Sequence, residues 1–187
     1  MKTTRSLALS MILGLAFVSL ANETADARPR PAGRMRGSNF EANKTFGLGL
    51  ELGSPAGLTA KYFINESNAL QFGLGWYNGY YRDYFGYHIY GDYLWHPISL
   101  VSASAFELPF YVGVGLQFMD FEDRRDRVYD DAVGFGIRVP LGIAFDFNEI
   151  PLDCFIQLTP SLNFYNDYRD RGGFWIDFSI GARYWFN

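Results

Sequence analysis

Cysteine is nearly absent from this 187-residue sequence, which has only Cys154. A single cysteine excludes an intramolecular disulfide, and one cysteine with two histidines offers no metal cluster of usable spacing. After residue 21 the chain also lacks the run of ~20 apolar residues that a membrane-spanning helix needs. The sequence therefore predicts no disulfide framework, no metal site, no cofactor and no helical membrane domain.

Aromatic residues and glycine are abundant instead. The chain is 19% aromatic and 49% hydrophobic and contains 20 glycines, yet its mean hydropathy is only -0.07. Transmembrane β-barrels have such averages because their interior and loop residues cancel the lipid-facing ones.

The first 27 residues have the order of a secretory signal peptide. Lys2 and Arg5 precede an apolar run over residues 7–21, and an Ala-Asp-Ala site ends at Ala27. This order predicts cleavage after Ala27, with Ala21 as the alternative site. The apolar run is short for an uncleaved membrane anchor, which is the other alternative. We expect residues 28–44 to form a basic periplasmic arm, since its start, RPRPAGRMR, carries four arginines.

From residue 45 to residue 187 apolar residues alternate with small or polar ones. One parity of residues 133–147 is entirely apolar, and the last strand, GFWIDFSIGARYWF, follows the same pattern. About eight such segments of roughly ten residues predict an all-β fold, an eight-stranded antiparallel up-and-down transmembrane barrel.

The connections between the segments also alternate. One set is mostly short and turn-like and consists of NESN, NEIP and the longer exception HPISLVSASAFE. The other set is mostly long and rich in Tyr, Asp and Arg, and consists of NGYYRDYFG, DFEDRRDRVYDD, YNDYRDRGG and the short GSPAG. Outer-membrane barrels have short periplasmic turns and longer exterior loops. The pattern therefore predicts a bacterial outer-membrane protein with extracellular loops and periplasmic termini.

A soluble barrel is the alternative, and its mixed parity would face solvent. That parity holds ten glycines, among them Gly73 and Gly142, and glycine weakens a strand. Inside a narrow barrel the same glycines leave room for the large residues of that parity, which are Phe63, Tyr77, Tyr90 and Trp175. The pattern favours the membrane barrel.

Charged residues on the mixed parity are expected to lie in the lumen. They are Glu51, Lys61, Asp92, Arg138, Asp146, Asp153, Asp177 and Arg183. An eight-stranded barrel is just wide enough for side chains to fill it. A plug of paired charges is favoured over an ion path or small pore.

Catalysis is not predicted. His88 and Asp92 share a strand face, so a lipid-modifying enzyme is the alternative function, but no nucleophile motif accompanies them. The GLGLELG stretch lacks the following helix of a nucleotide fingerprint. His96 precedes Pro97 at an expected turn.

The long loops are rich in the residue types of binding hot spots. The candidates are Tyr80, Tyr81, Arg82, Tyr84, Arg124, Arg125, Arg127, Tyr168 and Arg169. They predict surface recognition or adhesion toward lipopolysaccharide phosphates or a host or neighbour-cell protein, and no nucleic acid is expected. The alternative is that the loop charges are solvated and pair with one another, and that the protein has a purely structural role.

With its strands assigned, the chain resembles the small OmpX/OmpA-like outer-membrane barrels. The polar residue, glycine and alternate aromatics that end such proteins match Ser179, Gly181, Tyr184 and Phe186, and only Asn187 departs from the pattern. The resemblance implies recognition by the barrel assembly machinery in the outer membrane. GSPAGLTAKYF, ALQFGLGW, DYLWH, LPFYVGVG and RVPLGIAFDF look like a family of uncharacterised bacterial outer-membrane barrels, a domain of unknown function.

Overall fold

The computed structural model describes residues 39–78, 84–123, 132–165 and 173–186. Every regular element in these ranges is a β-strand. The strands are β1 (Phe46–Gly53), β2 (Ala56–Phe63), β3 (Asn68–Asn78), β4 (Tyr84–Ser102), β5 (Phe106–Asp123), β6 (Ala132–Arg138), β7 (Leu141–Phe147), β8 (Leu152–Tyr165) and β9 (Gly173–Phe186). No helix in the described ranges is long and apolar enough to cross a membrane.

The strands form one closed antiparallel barrel. Strands that follow each other in the chain pair, except β6 and β7, and β1 pairs with both β2 and β9, so that Phe46 lies opposite Phe186 at the closing seam. Closure leaves no free edge along the seam, because the first and last strands satisfy each other's backbone groups. The predicted up-and-down β-barrel is confirmed.

Two of the strands share one position in the barrel. Both β6 and β7 pair with β5 on one side and β8 on the other. Val139 and Pro140 separate β6 from β7. At this point the Val139 N–H donates to the Pro160 carbonyl, and the Gly113 N–H donates to the Pro140 carbonyl, each over 2.9 Å. Pro140 has no N–H for the ladder. The expected single strand over residues 133–147 is therefore split, and eight strand positions remain.

The two ends of the barrel differ. The turn end holds the start of β1, the end of β9 and three short connections, residues 64–67, 103–105 and 148–151. The loop end holds the turn between β1 and β2 and the ends of the strands that border three connections outside the described ranges, residues 79–83, 124–131 and 166–172.

One expected connection is wrong. HPISLVSASAFE was expected to be a long turn-end loop, but β4 continues to Ser102 and only residues 103–105 turn the chain. Register shifts follow Trp95 and Ser99, so the strand goes on pairing with β5 past Pro97 and Pro109. Bulges let a strand absorb residues that cannot donate to the ladder.

The outward parity of the strands is apolar and exposed. Asp120, near the loop end, carries the only charged side chain among the outward strand positions whose side chains are described. The exposed residues form a belt around the barrel: Leu48, Leu50, Leu58, Phe72, Leu74, Ile89, Val114, Leu116, Phe118, Phe135, Ile137, Ile156, Leu158, Leu162, Phe174, Ile176, Phe178 and Ile180.

Glycines on the inward parity make room for large side chains. A Cβ atom on Gly73 would lie 2.0 Å from the Tyr90 ring, and one on Gly142 would lie 2.3 Å from the Tyr111 ring. Tyr90 therefore occupies space that only glycine leaves open, as expected. Trp175 was also expected in the lumen, but its side chain is 43% exposed, because it lies only two residues inside the loop-end start of β9.

Candidate functional site

The barrel interior holds the chemically notable side chains. Arg183 is fully buried and forms a bidentate ion pair with Asp153, with Nε to Oδ1 at 3.0 Å and Nη2 to Oδ2 at 3.1 Å. Its Nη1 donates to Gln71 Oε1 over 3.0 Å. The guanidinium also lies over the Phe155 ring, 4.2 Å from the centroid. Bidentate pairs of this kind combine charge with fixed geometry.

Gln71 extends this contact across the lumen. Its Nε2 donates to Gln157 Oε1 over 3.1 Å, and the same oxygen accepts the Tyr111 hydroxyl over 3.0 Å. Gln157 Nε2 donates in turn to Thr159 Oγ1. Strands from opposite sides of the barrel are thus joined through side-chain amides in the interior.

A second charged group lies closer to the loop end. Arg138 Nε is 3.0 Å from Asp92 Oδ1, an ion pair in which the N–H does not point at the oxygen. The Arg138 guanidinium lies over the Tyr90 ring, 3.8 Å from the centroid. The Tyr90 hydroxyl donates to both Glu51 carboxylate oxygens at 2.9 Å.

Lys61 has a partner that the sequence did not predict. Its Nζ lies 2.7 Å from His96 Nε2, and His96 Nδ1 lies 3.1 Å from the Ser67 carbonyl. The amino group also lies 5.0 Å from the Phe63 ring centroid and 4.8 Å from that of Tyr111. His96 is buried in β4 and is not a turn residue.

The remaining acids of the predicted lumen set have separate partners. Asp177 accepts a hydrogen bond from Ser54 Oγ over 2.7 Å at the loop end. Asp146 pairs with Lys44 at the turn end. The predicted lumen charges are therefore all buried, but in several small groups rather than in one network.

Residues 39–45, which we call the strap, cross the turn end of the barrel. The buried Phe40 ring packs against Phe63 and His96, with centroids 5.8 and 5.3 Å away. Ala42 donates to the Glu66 carbonyl, and Lys44 contacts Asp146 and the Phe147 carbonyl. The strap thus ties the β2–β3 turn and β7 together over the mouth of the barrel.

His88 does not have the surroundings of a catalytic base. It is buried, and the polar side chains that interact with its ring within the described ranges are Gln117 and Arg138, neither of which is a carboxylate. Asp92 contacts Arg138 and not His88. In the same ranges no group of three His, Cys, Asp or Glu residues is arranged to hold a metal ion.

The residues of the predicted assembly signal lie on β9. Ser179 faces the interior, whereas Tyr184 and Phe186 face outward. The Phe186 ring lies 6.2 Å from that of Phe46 and 5.0 Å from that of Tyr184. A Cβ atom on Gly181 would lie 2.6 Å from the Phe155 ring, so this position also favours glycine.

Most predicted loop residues cannot be placed. Tyr80, Tyr81, Arg82, Arg124, Arg125, Arg127, Tyr168 and Arg169 lie outside the described residues, as does Ala27. Tyr84 is the exception, because its backbone begins β4 opposite Asp123.

The closed antiparallel sheet defines the class of the protein, a single β-barrel. The chain belongs to a family described as "Protein of unknown function (DUF3996)", whose model matches residues 38–186. The fold is similar to that of the N-terminal β-barrel domain of Pseudomonas aeruginosa OprF, with a TM-score of 0.50 and 15% identity. That match covers 75% of this chain and 95% of the other. A comparison with curated proteins gave no match.

Proposed function

We propose that the protein is an integral outer-membrane barrel with a plugged lumen, which acts at the cell surface through its loop end or as a structural component. The observation that carries this proposal is the distribution of side chains across the barrel wall. Most leucine, isoleucine and phenylalanine side chains of the described strands point outward, while their arginine, lysine and, apart from Asp120, carboxylate side chains point inward.

This distribution is the reverse of a soluble barrel. In water, exposed apolar patches larger than a few hundred Å² are rare in monomers, because apolar burial is the main favourable term in folding. In a bilayer the same belt faces hydrocarbon, and closure of the sheet satisfies every strand edge along the seam. The aromatic residues near the turn end, such as Tyr184 and Phe186, fit the interfacial girdle of such proteins.

The packing of the interior supports a plug. Arg183, Gln71, Tyr111 and Lys61 are all almost inaccessible to water, and an eight-stranded barrel has little space beyond its own side chains. The strap adds a further cover at the turn end. These features favour a closed barrel over the small pore.

Orientation follows from the proposed export signal. A cleaved signal peptide after Ala27 would deliver the chain to the periplasm, where the assembly machinery would read the end of β9. The turn end would then face the periplasm and the loop end the cell exterior. The Tyr- and Arg-rich loops would meet lipopolysaccharide phosphates or a protein of a host or neighbouring cell.

Membrane integration is tested with a charge placed in the belt. We expect Leu116→Arg to lower the folded fraction in lipid vesicles, since an arginine near the midplane costs about 2–4 kcal/mol. Asp120→Arg, on the same strand near the loop end, is the matched control and should fold normally. Heat-modifiable gel migration reports folding. Recovery of the wild type as a soluble periplasmic monomer would refute the proposal.

Surface recognition is tested separately. Replacing residues 79–83 and 124–131 by short Gly-Ser linkers should abolish adhesion or lipopolysaccharide capture while heat-modifiable migration persists. Lipid mass spectrometry of deletion and wild-type cells tests the enzyme alternative. An acyl pattern restored by the wild type but not by His88→Ala would establish a lipid-modifying enzyme instead.

A further inference from the structure

Strand β4 is longer than its neighbour at the turn end. Its pairing with β3 stops at Trp95, opposite Asn68, and His96 adds one bond to the Ser67 carbonyl. The strand nevertheless runs on to Ser102. Residues 97–101 therefore have no backbone partner on the β3 side within the described ranges. Such an edge is a template for an additional extended segment.

A groove of about 400 Å³ opens at the start of this edge, where Pro97 lines it. The strap and the β2–β3 turn form its other walls, and Asn39, Phe40, Ser67 and Pro97 are among its lining residues. Glu41 and Glu66 line it as well, and both are exposed. The groove therefore offers two accessible carboxylates next to the start of the open edge.

We propose that residues 28–38 of this chain dock in the groove as an extended segment, with their arginines against Glu41 and Glu66. The segment carries Arg28, Arg30, Arg34 and Arg36 and no acidic residue. Its last residue, Ser38, precedes Asn39, which itself lines the groove. The positive charge of the segment and its direct covalent link to the groove thus favour this occupant over a separate peptide.

Length and tethering are compatible with this docking. Eleven residues reach at most ~40 Å when extended, whereas the five residues of the open edge span ~17 Å. A short tether also gives the segment an effective concentration in the mM range at the groove. Pro29 and Pro31 cannot donate hydrogen bonds, but they hold the chain in extended conformations. The docked segment would cover the start of an edge that is otherwise open to pairing with other chains.

Limited trypsin digestion of the folded, full mature chain tests the proposal. Trypsin cuts after Arg34 and Arg36, whereas the Arg28–Pro29 and Arg30–Pro31 bonds resist it. We expect the double variant Glu41→Lys and Glu66→Lys to be cleaved at Arg34 and Arg36 about fivefold faster than the wild type, because two exposed ion pairs are lost. High salt should accelerate cleavage of the wild type similarly.

Glu149→Lys is the matched control, since Glu149 is an exposed acid of another turn that does not line the groove. It should be cleaved at the wild-type rate. Heat-modifiable migration verifies that each variant is folded, so a change in cleavage is not a loss of the barrel. Equal cleavage of the folded wild type and the folded double variant would overturn the proposal. Protection that disappears on dilution would overturn it too, because the occupant would then be the segment of a second copy.

Discussion

Arg183 on β9 and Asp153 on β8 lie directly opposite each other in the ladder, and their side chains meet inside the barrel through two contacts of 3.0 and 3.1 Å. The backbone pairing of β8 with β9 therefore brings the two side chains next to each other on the inner face of the sheet. The geometry explains how two full charges are held at buried positions, since each charge has the other as its partner.

Removing one member of this pair should destabilise the barrel strongly. Arg183→Ala leaves Asp153 buried without its cation, and we expect a loss of about 3–5 kcal/mol in the free energy of unfolding. Urea unfolding in detergent micelles, followed by circular dichroism, measures it. The double variant Asp153→Leu and Arg183→Met should be more stable than Arg183→Met alone. A double variant that is less stable than the single one would contradict this account.

The glycine beneath Tyr90 gives a second prediction. Gly73→Ala places a methyl group 2.0 Å from the Tyr90 ring, so we expect a loss of about 1–3 kcal/mol from overpacking. Gly91→Ala is the matched control, because its methyl group would lie 3.4 Å from the Phe72 ring in ordinary contact. Both changes alter strand propensity alike, and the difference between them in urea unfolding isolates the steric effect. Equal midpoints would show that Tyr90 can move aside.

The packed interior predicts an electrical property. The wild type should show no steady conductance in planar bilayers, and neither should the variant Phe40→Ala and Lys44→Ala. Loosening the strap leaves the layer around Arg183, Gln71 and Tyr111 in place. Reproducible unitary steps from the folded wild type would favour the small pore instead.

The end of β9 should govern assembly in cells. Phe186 lies opposite Phe46 at the closing seam, so Phe186→Ala removes an aromatic contact there as well as the sorting residue. We expect a much lower folded fraction in the membrane than for a variant lacking only Asn187. Quantitative gel migration of membrane fractions compares the two. If both variants assemble like the wild type, the role given to the end of the strand is wrong.

The barrel was predictable because each strand is buried on one face only. A side-chain period of two then appears directly in the sequence, and residues 133–147 show it without a fault. The parity survives even at Val139 and Pro140, where the hydrogen-bond ladder breaks, because an interruption of the ladder need not change which way the side chains point. For that reason the pattern indicated the interior residues but not the division of this strand.

Contacts between distant residues were not predictable from alternation. The pairing of Lys61 with His96 depends on how the strands stagger around the barrel, which a single sequence does not reveal. The length of β4 was hidden by Pro97 and by a serine-rich stretch that is typical of a loop. Phe40 precedes the first alternating segment, so no periodic signal marked it as a buried residue.

The strap contacts residues that are near it in the sequence and residues that are far from it. The Ala42 N–H donates to the carbonyl of Glu66, which lies 24 residues further along the chain. The Lys44 amino group pairs with Asp146, which lies 102 residues further along. The Lys44 contact therefore exists only when β7, which carries Asp146, has joined the barrel. A fully docked strap is thus a local reporter of a distant event, because it requires that β7 is already in position.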